Sequence, residues 1–217
     1  GPDSLALLLA LKLLAVKEKI NIGCCCVNHH LRAAAGKEAE FVESVCREWN
    51  IPFILKEVDV QSAVRNGGSI ETAARDLRYK ALREAARGGG YAKIAVAHHG
   101  DDQAETVLYH LLRGSGVTGL SGMKPINGDI IRPFLCVSKN EIKDFLKDFS
   151  YVPCHDESND VEDAVRNRIR LSLVPELISY NPRVTESLRR TADIFREEDL
   201  FMEEKADVFI SSCVEHD

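Results

Sequence analysis

Nowhere does this chain offer the roughly 20 consecutive apolar residues that cross a bilayer. Its apolar run 5–11 gives way to Lys12 and Lys17, and neither a basic lead nor a small-residue cleavage pattern frames it as a secretion signal. The seven cysteines include no C-x-x-C pair, which argues against a thiolate metal site. Their odd number, with three in a row at 24–26, suits buried thiols better than a disulfide frame. A reduced, cytoplasmic protein is the expectation. Positive charge is also short: a formal net charge of −6 excludes a surface basic enough overall to grip nucleic acid by itself. It leaves room for a local basic groove, because arginines recur at 75, 78, 83 and 87 and again at 166, 168, 170, 183, 189 and 190. No internal repeat or low-complexity tract is present.

What remains is ordinary for a globular protein: 217 residues, 45% hydrophobic and 29% charged, enough for one sizeable domain with an extension. Strand-like and helix-like segments alternate over the first two-thirds, the pattern of a parallel α/β sheet. The periodicity predicts helices over 5–16, 34–49, 69–86, 102–113 and 138–149, and strands over 22–28, 53–60, 93–97 and 130–135. Ser69 would cap the third helix, with Ile70, Ala73, Ala74, Leu77, Ala81 and Leu82 facing inward and Gly88-Gly89-Gly90 stopping it. Beyond 156 the pattern is helical, and Asn181-Pro182 marks a break before a long charged helix.

The densest chemistry lies at Ala97-His98-His99-Gly100-Asp101-Asp102-Gln103-Ala104-Glu105-Thr106, where a strand end meets a helix start. Ligand sites of open α/β sheets lie at such carboxyl ends. Asp102, Glu105, Tyr109 and Arg113 share one face of this helix, and Ala104, Val107, Leu108 and Leu111 form the opposite one. Acidic residues at a helix start also complement its dipole, but three carboxylates behind two histidines exceed that need. They suit Mg²⁺ or a substrate ammonium beside bound phosphates. Three further sets stand out. Asn28-His29-His30-Leu31-Arg32 leaves a strand end, and Glu71, Arg75, Arg78 and Tyr79 would share the exposed face of the third helix. Asp156-Glu157-Ser158-Asn159 precedes Arg166-Asn167-Arg168-Ile169-Arg170, which reads as a capped basic helix start. At the beginning, Gly1-Pro2-Asp3-Ser4 opens a helix, a weak anion-site signal on its own.

Together and in this order the segments resemble the tRNA(Ile)-lysidine synthetases, a family of N-type ATP pyrophosphatases. Gly1-Pro2-Asp3-Ser4 is similar to the second half of the superfamily's pyrophosphate loop, Ser-Gly-Gly-x-Asp-Ser. The His98-to-Thr106 run, Arg113-Gly114-Ser115-Gly116, Gly119-Leu120-x-Gly122-Met123 and Arg132-Pro133-Phe134-Leu135 match internal motifs of that branch. So do the sets around His29, Arg75 and Arg170.

The resemblance implies a Rossmann-like PP-loop fold, of the adenine nucleotide alpha hydrolase type, followed by a helical extension. Residues 1–178 would be the catalytic domain, without its first strand and the start of the loop, and 179–217 a helical linker opening a truncated C-terminal region. The implied reaction has two steps. ATP adenylates the C2 oxygen of the wobble cytidine in the CAU anticodon of tRNA(Ile), releasing pyrophosphate. The ε-amine of free L-lysine then attacks C2 and expels AMP.

The implied roles follow the motifs. Gly1, Pro2, Asp3 and Ser4 would hold phosphates and Asp3 would help hold Mg²⁺. Arg75, Arg78 and Arg113 would neutralise charge near the α-phosphate or the RNA backbone, and Asp102 and Glu105 would bind the lysine ammonium or the metal. His29 or His99 would handle protons. No membrane is implied, and a homodimer is compatible. The rivals are a tRNA thiolase of the same superfamily, disfavoured by the missing C-x-x-C, an amide-forming synthetase of the NAD or GMP type, and a silent nucleotide- or RNA-binding module.

Overall fold

The computed structural model describes residues 1–29, 35–60, 62, 70–149 and 164–213. The chain divides into two compact units. The first comprises Gly1–Ala97, Ile126–Ile131 and Ile142–Glu157, and the second His98–Pro125, Arg132–Glu141 and Ser158–Asp217.

In the first unit, helix α1 (Pro2–Glu18) begins with Pro2 in its first turn, where a missing N–H costs nothing. Its residues Leu5 to Leu9 are all buried, so this end is enclosed on every side. Strand β1 (Cys24–Asn28) pairs in parallel with β2 (Phe53–Glu57), Cys24 opposite Phe53 and Asn28 opposite Glu57. Between them α2 (Ala35–Glu48) buries Val45 and Cys46. Helix α3 (Ile70–Gly89) ends where Gly90 takes φ +70°, and Tyr91 N–H then reaches back to Ala86 O at 2.8 Å. Strand β3 (Ile94–Ala95) pairs in parallel with β5 (Ile130–Ile131), and β4 (Ile126–Asn127) pairs antiparallel with β5.

Parallel pairing is thus borne out, while the strands are shorter than the sequence reading has them and the inner face of α3 differs. The strand expected over 130–135 stops at Ile131, because Pro133 has no N–H for a ladder and opens a 3₁₀ turn, Pro133–Cys136. A hairpin stands beside it, turned by Gly128-Asp129 with Gly128 at φ +60°. The inner face of α3 is also shifted. Ile70 is exposed, while Tyr79, Ala81 and Ala85 are buried. The ring of Tyr79, expected outside, brings more apolar area to the core than Ile70 at the helix start.

The six described cysteines are free thiols. The hydrogen bond with Cys46, followed by burial, pushes the Cys24 thiol up, and burial pushes up Cys25 and Cys26. None of these three is an activated nucleophile. Among the described residues no helix is long and apolar enough to cross a membrane.

The second unit is helical: α4 (Gly100–Leu112), α5 (Val117–Leu120), the start of α6 (Lys139–Asp148), α7 (Ala164–Arg168), a π-helical turn Ile169–Leu173, α8 (Val174–Tyr180) and α9 (Val184–Cys213). Its order depends on polar burial. The loop after α5 turns carbonyl groups inward, and side chains from three other segments satisfy them. Gln103 Nε2 donates to Met123 O at 3.2 Å, and Gln103 Oε1 accepts Met123 N–H at 2.8 Å. Arg196 donates to Ser121 O at 3.2 Å and Arg132 to Lys124 O at 2.7 Å. Gly122 sits at φ +63° with room for no side chain, since an added Cβ would lie 2.8 Å from the Gln103 amide. Buried Asp199 of α9 accepts from Thr118 Oγ1 of α5 at 2.7 Å.

Replacing Gln103 by Leu would leave the Met123 N–H without its partner, while the carbonyls of Ser121 and Met123 would keep Arg196. One such group costs about 1–3 kcal/mol. Urea denaturation of Gln103→Leu should show a lower midpoint by that amount with an unchanged m-value. An unshifted midpoint would show that water replaces the amide without cost.

Candidate functional site

Helix α4 starts under unusual local control. His99, 4% exposed, is the N-cap: its Nδ1 accepts the Asp102 N–H at 3.4 Å, and Asp102 Oδ2 accepts the His99 N–H at 3.0 Å. This reciprocal box satisfies two helix-end donors and fixes the Asp102 side chain. An Nδ1 that accepts leaves the ring proton on Nε2, which faces Asp102 Oδ2 at 3.5 Å. Gly100 is required where it stands, because an added Cβ would lie 2.9 Å from Val137 O. Asp101 Oδ2 lies 3.7 Å from His99 Nδ1 and accepts the Lys139 N–H at 2.8 Å. It serves the start of α6.

The other two carboxylates are drawn together by one cation. Arg170 grips Glu105 in a fork, Nε to Oε1 at 2.8 Å and Nη2 to Oε2 at 2.9 Å. The same Nη2 reaches Asp102 Oδ1 at 3.4 Å. The fork is the strong, planar form of the ion pair, and it explains how Glu105 can be only 9% exposed. Arg170 lies in the π-helical turn, where Val174 N–H bonds to Ile169 O. Pro175 follows and has no N–H to continue the regular ladder, so the wider turn forms just ahead of it. The sequence placed Arg170 in a basic helix start without chemistry. Its signal was indirect: a carboxylate at a half-buried helical position needs a cation, and only the fold says which.

On the same face of α4, Arg113 lies 4.3 Å from the Tyr109 ring centroid, and Arg166 of α7 lies 5.4 Å from it. The face expected for Asp102, Glu105, Tyr109 and Arg113 is therefore real. On the opposite side Ala104, Val107 and Leu108 are buried as expected. Leu111 is 53% exposed, and Gln103 is buried in its stead to serve the Met123 loop.

The first unit holds the remaining candidates. Gly1 is the N-cap of α1, and Pro2, half-buried Asp3 and exposed Ser4 form its first turn, where the positive end of the helix dipole favours an anion. His29 follows β1, with its Nδ1 buried and without a hydrogen bond among the described residues. Burial, and secondarily the positive charge of Arg78, lowers its pKa from 6.5. Arg75 and Arg78 of α3 stand 5.4 and 5.6 Å from the Tyr79 ring. Arg83, third around that ring, is forked onto Asp129 at 2.8 Å and 3.3 Å. His30, Arg32, the segment 156–159 and the side chain of Glu71 lie outside the described residues. Among the described residues no group of three or more His, Cys, Asp or Glu is arranged to hold a metal ion.

The chain matches known proteins over these same segments. It is 42% identical over 217 residues to a tRNA(Ile)-lysidine synthase of Caldanaerobacter subterraneus, covering 98% of this chain and 46% of that one. It is 37% identical over 195 residues to the tRNA(Ile)-lysidine synthase of a Thermotoga species, covering 89% and 47%. With that of Petrotoga mobilis the identity is 39% over 204 residues, covering 91% and 65%. The chain thus spans about half the length of the first two relatives. Among solved structures, the U34-tRNA thiolase NcsA from Methanococcus maripaludis, with its 4Fe–4S cluster, has a TM-score of 0.71 at 17% identity. That match covers 91% of this chain and 70% of the thiolase, and at this identity it shows the fold alone. The model of the PP-loop domain matches residues 1–177, and the chain belongs to that family.

Proposed function

We propose that this chain carries the catalytic core of a tRNA(Ile)-lysidine synthase. It would use ATP to activate the wobble cytidine of a CAU anticodon and then join lysine to it. The observation that carries the reading is the Asp102–Glu105 pair on the first turns of α4, held by Arg170, in a chain 37–42% identical to lysidine synthases. Such a pair would receive an organic cation at Asp102, beside Arg170.

In this reading the two carboxylates divide the work. Glu105 is committed to the fork and has an 11% exposed side chain, whereas Asp102, at 22%, meets Arg170 only at 3.4 Å. Asp102 is thus the carboxylate that would take the lysine ammonium, and Glu105 with Arg170 would set its position. The amine must lose its proton before attacking C2, and a second proton leaves as AMP departs. Burial disfavours the charged form of His29, which suits the proton-handling role that the family resemblance implies for it.

At α1, the N–H groups of the first turn with Ser4 would hold the β- and γ-phosphates, and Asp3 would bind Mg²⁺. One or two carboxylates with substrate phosphates suffice for that ion. Bound there, Mg²⁺ would neutralise charge on the departing pyrophosphate. Arg75 and Arg78 would serve the α-phosphate. The domain division at 178, and any homodimer, belong to the same proposal.

The test is pyrophosphate release with ATP and Mg²⁺, with and without tRNA(Ile) bearing CAU, alongside transfer of labelled lysine into RNA. Release that depends on this tRNA and transfer of label are expected; release indifferent to it would sink the reading. Losing a charge-assisted contact of about 1.5–3 kcal/mol should raise the KM for lysine roughly ten- to a hundredfold in Asp102→Asn. An unchanged KM would make Asp102 a helix cap and nothing more.

For His29, the NMR titration midpoint should fall below 6.5, and Arg78→Met should raise it only in part, since burial is the larger cause. The folded protein binds this proton less readily than the unfolded chain. Stability from the site is therefore complete above about pH 6.5 and declines as pH falls through the lowered value. A midpoint at or above 6.5 would remove His29 as a neutral base.

A further inference from the structure

Glu105, Tyr109 and Arg113 follow one another at intervals of four along α4, so the Tyr109 ring lies about 6 Å farther along the helix axis than Glu105. Two guanidinium groups stand at that ring, Arg113 from the end of α4 and Arg166 from α7, at 4.3 and 5.4 Å from its centroid. Their centres therefore lie within about 10 Å of each other. Neither has a carboxylate partner among the described residues. Both differ in this from Arg170, which is saturated by acids, and from Arg83, which is forked onto Asp129.

Two cations held together without a counter-charge among the described residues repel each other, and the ring offsets only part of that. Arg113 also complements the negative end of the α4 dipole. Arg166 comes from another helix and has no such reason to be there. A guanidinium held against an aromatic ring by its face keeps its N–H edges free, and those edges match phosphate oxygens two at a time. The surroundings are open: Arg113, Gly114, Gly116 and Val117 are exposed. An open surface suits a strand passing over it better than a triphosphate, which is cradled by backbone N–H groups at a helix start.

We propose that Arg113 and Arg166, positioned by Tyr109, bind backbone phosphates of the RNA substrate beside the nucleotide that reacts near Asp102 and Glu105. The inference rests on the lysidine synthase reading for the identity of that RNA. It assigns Tyr109 and Arg166 a binding role that their place on helix surfaces does not by itself suggest, and of the two roles open to Arg113, the α-phosphate or the RNA backbone, it selects the RNA.

The test is fluorescence anisotropy of labelled tRNA(Ile) with the full chain over a range of salt concentrations. Arg113→Gln and Arg166→Gln should each weaken binding and reduce the slope of log affinity against log salt by about 1, the signature of one lost phosphate contact. Tyr109→Leu should weaken binding similarly, and Tyr109→Phe should restore it, because the ring and not the hydroxyl holds the guanidinium groups. Thermal melting of each variant identifies misfolded protein, and the Phe variant keeps the proposal testable if the Leu variant unfolds.

An unchanged affinity and slope in both arginine variants would overturn the proposal. So would a loss of affinity for ATP in Arg166→Gln matching its loss for RNA, which would assign the pair to the triphosphate. Failure of the parent reading looks different. If the unaltered chain binds tRNA with these slopes but transfers no lysine, the ligase reading falls and the phosphate site stands. If it binds no RNA, both fall.

Discussion

The fork between Arg170 and Glu105 is the contact on which the candidate site depends. It joins α4 to a π-helical turn 65 positions later in the chain and lets a carboxylate lie almost fully buried. Removing either partner would leave a charge without compensation in a poorly solvated place, the costly form of a broken ion pair. Asp102 is held from two sides, by the same guanidinium and by the reciprocal cap with His99. A substrate cation arriving there would meet a charge already oriented, with little reorganisation left to do.

Polar burial on this scale is matched by hydrogen bonding elsewhere in the unit. The loop carbonyls of Ser121, Met123 and Lys124 point inward, and Gln103, Arg196 and Arg132 meet them. Asp199 takes the Thr118 hydroxyl. These groups fix the loop after α5 and the first half of α9 against α4, whose opposite face carries the acid pair and the arginine–tyrosine cluster. Loop carbonyls held in this way are a sound support for a site that must hold charges at defined positions.

Much of this was legible because it is local. The α4 start announces itself through His99, Gly100 and the acids, and the helix and strand order of the first 100 residues follows from period and caps. The exceptions are instructive. Pro133 ended a strand that hydropathy alone would extend. Gly128-Asp129 turns a hairpin between isoleucines that the hydropathy pattern does not show. Tyr79 is buried and Ile70 exposed, the reverse of the faces that hydropathy assigns them. Leu111 is exposed although apolar, and Gln103 is buried although polar, since a hydrogen-bonding demand 20 residues away outweighs side-chain hydropathy.

The sequence by itself determined the kind of chemistry: acids at a helix start, arginines in clusters, an anion-ready first turn at Gly1 to Ser4, and no paired cysteines. Each is a matter of residue type at short spacing, which local propensity and capping dictate. Only the tertiary structure decided the partners. It diverted Asp101 to Lys139, assigned Arg170 to Glu105, and set Arg166 beside Tyr109. Which charge meets which depends on contacts between residues tens of positions apart, and packing, not spacing along the chain, chooses among them.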